Sequence, residues 1–202
     1  MWYRRVSLIA CGLLVAGCQS HPLTDYRPLD QAGIWSSDIE QLKSLHITDS
    51  EVAQVARAKQ SGVSDDTCVE LVSAAHAHQH PFLSGDSAAR LAGAGFSDKQ
   101  IIDIAHADKL DSVSVDAVTL KLIGLSDATV EVILHRHLAG LPVMDGPEIG
   151  KLKNTGLTER QILERINAGM TNAQAEKEIR TRVAVRNHSN TSFVRVRGRR
   201  PN

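Results

Sequence analysis

The stretch Leu91-Ala92-Gly93-Ala94-Gly95-Phe96-Ser97-Asp98-Lys99-Gln100-Ile101 reads as the end of one helix running straight into the start of the next. Gly95 suits the position just past a last helical turn, where φ is commonly positive and a Cβ is penalised. Ser97 is a helix N-cap, and its hydroxyl is worth about 1 kcal/mol there. Gln100, three residues on, completes a capping box, while Phe96 and Ile101 flank the cap as a hydrophobic staple. Asp98 faces the positive end of the helix dipole. Each residue type has a mechanical task, and none of these tasks is chemical.

The same boundary recurs along the chain. It appears at Gly62-Val63-Ser64-Asp65, Gly124-Leu125-Ser126-Asp127, Gly156-Leu157-Thr158-Glu159 and Gly169-Met170-Thr171-Asn172, and at His46-Ile47-Thr48-Asp49 with histidine in place of glycine. Histidine tolerates positive φ better than most residues. Glu51, Gln161 and Gln174 complete further capping boxes. Leu42, Leu91, Leu120 and Leu152 each stand five residues before the apolar staple residue, so one helix buries its last turn where the next begins. Successive copies start 16, 33, 29, 32 and 13 residues apart. A spacing near 30 holds two short helices and one near 15 holds one. The pattern predicts an all-α domain of about nine short helices between residues 37 and 186. These form an array of helical hairpins, stacked either as a repeat-like solenoid or as a compact bundle.

Composition is consistent with this and excludes other classes. The chain has 202 residues, 42% hydrophobic and 23% charged, with only 3% aromatic. That is too apolar for a disordered polymer. Two of the three cysteines, Cys11 and Cys18, fall in the first 18 residues, which rules out a disulfide scaffold. Formal net charge is zero, but it is divided. Residues 1–17 carry +2, residues 18–171 carry −8, and residues 172–202 carry +6. An acidic body with a basic end suggests an interaction segment.

The first residues, from Met1 through Arg4 and Arg5 to Val15-Ala16-Gly17-Cys18, combine a basic start with an apolar run of about a dozen and then small residues. That is the layout of an export signal, and the run is too short for a spanning helix. Val15-Ala16-Gly17-Cys18 resembles the lipobox of bacterial lipoproteins. The resemblance implies cleavage between Gly17 and Cys18 and an N-terminal lipid of palmitate type on Cys18, the only cofactor-like group expected. Two or three acyl chains hold a protein on a membrane, whereas one does not. Gln19 and Ser20 after the cysteine imply the outer membrane, periplasmic face, rather than the inner membrane. Residues 1–17 are then a signal peptide and residues 18–36, with Pro22 and Pro28, an extended lipidated tether. Residues 37–186 form the helical domain and residues 187–202 a disordered basic tail.

Catalytic signatures are missing from the sequence: no Gly-rich phosphate loop, no Gly-x-Ser-x-Gly, no His-Glu-x-x-His and no Cys-x-x-Cys. Cys68 occupies the staple position after Ser64, where a buried thiol acts as a small hydrophobe. Nine histidines are an excess. His76, His78 and His80 alternate, and an i, i+4 pair on a helix can chelate Zn²⁺ or Cu²⁺. Pro81 frays that helix at His80. His106 and His135 fall at a position that is polar in every copy, marking a solvent face.

The last helix begins at Thr171, with Glu176–Arg180 and Glu178–Arg182 as ion pairs four apart. Beyond it, Arg195, Arg197, Arg199 and Arg200 suit an anionic polymer. The sequence thus points to a non-catalytic scaffold or binding module in the bacterial cell envelope. Its expected partners are the membrane, through the lipid, and an envelope protein or anionic polymer; nucleic acid is not among them. The alternatives are metal binding by the histidines and polyanion binding by the tail.

Overall fold

A computed structural model describes residues 23–197, with side chains through residue 186. Among them are eleven helices and no strand. They are α1 (Arg27–Gln31), α2 (Ser36–Ser44), α3 (Asp49–Gln60), α4 (Asp65–Ala77), α5 (Gly85–Gly93) and α6 (Asp98–His106). After them come α7 (Leu110–Leu122), α8 (Asp127–Leu138), α9 (Gly146–Asn154), α10 (Glu159–Asn167) and α11 (Asn172–Arg197).

The recurring boundary does what its residue types dictate. Thr48, Ser64, Ser97, Ser126 and Thr158 each accept a hydrogen bond from the backbone N–H three residues on. Thr48, Ser97 and Thr158 form complete capping boxes with Glu51, Gln100 and Gln161. Thr171 and Gln174 exchange the same reciprocal bonds. Gly62 has φ 99°, which any Cβ would strain, and His46 takes φ 55° in the equivalent place. The staple pairs Ile47–Val52, Phe96–Ile101 and Leu157–Ile162 are all buried.

Helices pair as hairpins: α1 with α2, α3 with α4, α5 with α6, α7 with α8, and α9 with α10. Odd helices then pack on odd ones in order, from α1 to α11; among the even ones α4 packs on α2 and α6, and α8 on α10, while α6 also packs on α7. The result is a stack in which each hairpin meets its neighbours, a packing compatible with a repeat array or a bundle. One aliphatic core runs through the stack from Leu29 to Ala175, with Phe82 and Phe96 as its aromatic bulk.

Two segment boundaries differ from expectation. The part of the expected tether from Tyr26 to Ser36 is folded: Leu29 is fully buried and Ile34 nearly so. Gly33-Ile34-Trp35-Ser36 is another copy of the boundary, with Trp35 in place of the cap serine. Tryptophan offers no side-chain acceptor there, which hid the copy and its helix α1 from a pattern built on Ser and Thr. At the other end, backbone helix continues to Arg197, past the expected limit at 186, so residues 187–197 belong to α11. Ten helices, not nine, start between residues 36 and 172. The pairs Glu176–Arg180 and Glu178–Arg182 are both present. Arg165 of α10 joins the second of them. Its guanidinium, together with that of Arg182, holds the Glu178 carboxyl down at about 2 and ties α11 to the stack.

Candidate functional site

Polar side chains of the boundary also join one hairpin to another. Asp65 accepts the Trp35 N–H at 2.9 Å, so an acid of the second hairpin holds the helix start of the first. Glu159 does the same for α8, accepting from the Ser126 N–H, the Ser126 hydroxyl and the Thr129 hydroxyl. Those donors keep the Glu159 carboxyl below the usual range. Lysines take the opposite role at helix ends. Lys121 Nζ donates to the Gly95 carbonyl at 3.3 Å, and Lys153 Nζ to the carbonyls of Ile123 and Gly124. Cations at carbonyl ends and acids at N–H ends both suit the helix dipole. Each of these acids also starts its own helix, and a partner some 30 residues away leaves no local trace in the sequence.

The three alternating histidines go to three different places. His76 Nε2 lies 2.7 Å from Glu51 Oε1. His78 Nε2 faces the His106 carbonyl at 3.0 Å, and His80 Nε2 lies 2.8 Å from Asp108 Oδ1. Helix α4 ends at Ala77, before the i, i+4 register of His76 and His80 can form. Gln79 takes φ 65° and turns the chain toward α5. Among the described residues no group of three or more His, Cys, Asp or Glu is placed to hold a metal ion. His78 and His80 do stack, with ring centroids 6.3 Å apart.

Beside His76 stands the most buried carboxylate among the described residues. Glu51 is 2% exposed and sits in the first turn of α3. Its Oε2 accepts the Thr48 N–H and hydroxyl, and its Oε1 accepts the Phe82 N–H and faces His76. Burial opposes the charge, but the hydrogen bonds from Thr48, Phe82 and His76 outweigh it and lower the pKa. Glu51 thereby fastens the α4–α5 loop to α3. It was legible as a capping-box residue, but not as the anchor of a loop 31 residues away.

That loop forms one wall of a cleft of about 400 Å³. Leu71, Ala75, Phe82, Ala105 and Leu110 make its apolar floor, and His80, Ser84, Asp108, Asp111 and Ser112 its polar rim. Ser84 and Ser87 both donate to Asp111, at 2.9 and 2.6 Å. His80 has both ring nitrogens against oxygens, the Pro81 carbonyl and the Asp108 carboxylate, and these raise its pKa. An apolar floor with a few fixed polar groups is the usual form of a binding cleft. Of its serines, Ser84 donates to the Asp111 carboxylate and Ser112 to the Lys109 carbonyl.

His106 and His135 lie on the solvent side as expected, His106 against Glu70 at 2.7 Å. Gly17 and Cys18 lie outside the described residues, as do Arg199 and Arg200, while Arg195 and Arg197 fall in the backbone of α11. Cys68 is fully buried, and burial pushes its thiol up to about 12. Native protein is therefore expected to resist maleimide at Cys68 and to react there only after unfolding in urea, as read by mass spectrometry.

Comparison of the chain with protein-family models, with curated proteins and with solved structures gave no match. Among the described residues no helix is long and apolar enough to cross a membrane.

Proposed function

We propose that this chain is a lipid-anchored, periplasm-facing lipoprotein that works as a non-catalytic scaffold or binding module of the bacterial cell envelope. The observation that carries the non-catalytic part is the fate of the repeated hydroxyls. Thr48, Ser64, Ser97, Ser126, Thr158 and Thr171 all hold helix N-termini instead of converging on a common cavity. Support for a binding role comes from the stack of hairpins, since repeat arrays offer extended surfaces to partners. The cleft beside Phe82 is one concavity on that surface. The anchor rests on the leader and on Val15-Ala16-Gly17-Cys18.

Intact-mass analysis of protein extracted from the membranes of expressing bacteria tests the anchor. The expected species starts at Cys18 and carries acyl mass, and Cys18→Ser lacks it. An unmodified N-terminus overturns the anchor. Turnover in a screen of hydrolase and transferase substrates, abolished by one point substitution, overturns the non-catalytic role.

A further inference from the structure

The hairpin nearest the expected anchor departs from the repeat in a way that packing does not explain. In the equivalent position of the four later hairpins stands a capping hydroxyl: Ser64, Ser97, Ser126 or Thr158. In the first it is Trp35, which makes no side-chain cap bond and is 75% exposed. The cap is given up, yet the indole is not used to fill the core. The backbone that carries it is held, since Asp65 accepts the Trp35 N–H. Leu23, at the start of the described chain, is 96% exposed.

Chain length narrows what these side chains meet. The chain is tied into the fold from Thr24, whose hydroxyl donates to the Ile47 carbonyl, and from Asp25, whose N–H donates to Asp49. Six residues separate Cys18 from Thr24, a reach of at most roughly 20 Å. A free tether to Ser36 would instead have spanned roughly 60 Å. The first hairpin is thus held close to whatever surface receives the lipid. Tryptophan is favoured at a membrane–water boundary, where its ring is apolar and its N–H is wet.

We propose that Trp35 and Leu23 seat the first hairpin on the lipid bilayer that holds the Cys18 anchor. The inference rests on the lipoprotein reading but concerns a different surface, and the two can fail separately.

Trp35 reports on itself. The chain has two tryptophans, and Trp2 leaves with the leader. Protein purified from membranes and reconstituted into phosphatidylethanolamine–phosphatidylglycerol vesicles should show blue-shifted emission, quenched by brominated acyl chains, relative to unlipidated residues 18–202 in solution. Red-shifted, unquenched emission from a lipidated sample overturns the contact. In a second arm, residues 18–202 are coupled through the Cys18 thiol to vesicles bearing a maleimide headgroup, buried Cys68 being protected. Quenching in this arm supports the contact even if native protein proves to carry no lipid, a result that would remove only the anchor. Absence of quenching overturns the contact whatever the lipid status. Leu23→Glu, at a position too exposed to affect folding, should reduce the quenching in both arms. Unchanged quenching removes Leu23 from the contact.

Discussion

Replacing Gly85 with alanine is expected to destabilise the protein by about 3 kcal/mol, at the top of the range for overpacking. Gly85 opens α5 where that helix crosses α3. A Cβ there would lie 2.2 Å from the Gln54 carbonyl oxygen and 2.7 Å from its carbon. Backbone cannot rotate aside as a side-chain tip does, so the two helices must separate. Their separation also loosens Asp86 from Arg57, an ion pair at 2.6 Å across the same contact. Gly146 has the same place in α9 but meets Thr119 and Asp116 at 3.0–3.2 Å, so Gly146→Ala should cost about 1 kcal/mol. Gly93, at the end of α5, has nothing within 4 Å, and Gly93→Ala should be neutral or stabilising. Urea midpoints at constant m-value check the ranking. Equal costs at Gly85 and Gly93 would refute the close crossing.

The second large effect is expected at Glu51. Glu51→Ala leaves the buried Phe82 N–H and the part-buried Thr48 N–H without their acceptor; a buried orphan costs about 1–3 kcal/mol, so the loss should reach about 3 kcal/mol. Glu51→Gln is milder. Glutamine serves in the other capping boxes, so the Thr48 bond survives, but its amide NH₂ then opposes the Phe82 N–H. Hydrogen exchange at Phe82 should rise in both variants, and exchange in α10 should not. The pH dependence has a definite sign. A lowered folded-state pKa gives stability that is present above the unfolded value near 4.5 and is lost as pH falls through the folded one. The gap between wild type and Glu51→Gln should therefore be widest at neutral pH and close in acid.

Much of this fold could be read because its punctuation is local. A cap, its partner three residues on and a staple fit within seven residues, so the starts of α3, α4, α6, α8, α10 and α11 were legible from residue type alone. So were the burial of Cys68 and the ion pairs of α11. Helix α1 was missed because Trp35 carries no capping oxygen, and an expected tether turned out to be folded chain. The fraying of the histidine face before Pro81 was legible, but the partners of these histidines were not. His76, His78 and His80 are adjacent in sequence, but a helix ending at Ala77 and a left-handed Gln79 send them to partners 25 to 28 residues away. The cleft was out of reach as well, since its floor is assembled from α4, the Phe82 loop, α6 and α7.

Neighbouring hairpins are tied to each other at both edges of the stack. At the glycine edge the later hairpin serves the earlier one, as Asp65, Lys121, Lys153 and Glu159 do. At the other edge ties run both ways: His78 gives forward to the end of α6, while Asp49, Asp111 and Asn172 accept from Asp25, Ser84 and Asp145 of earlier segments. A protease cut at a junction between hairpins would therefore strand unpaired groups on both fragments. No hairpin can be lifted out as a self-sufficient module, and the array gains or loses its integrity as a whole.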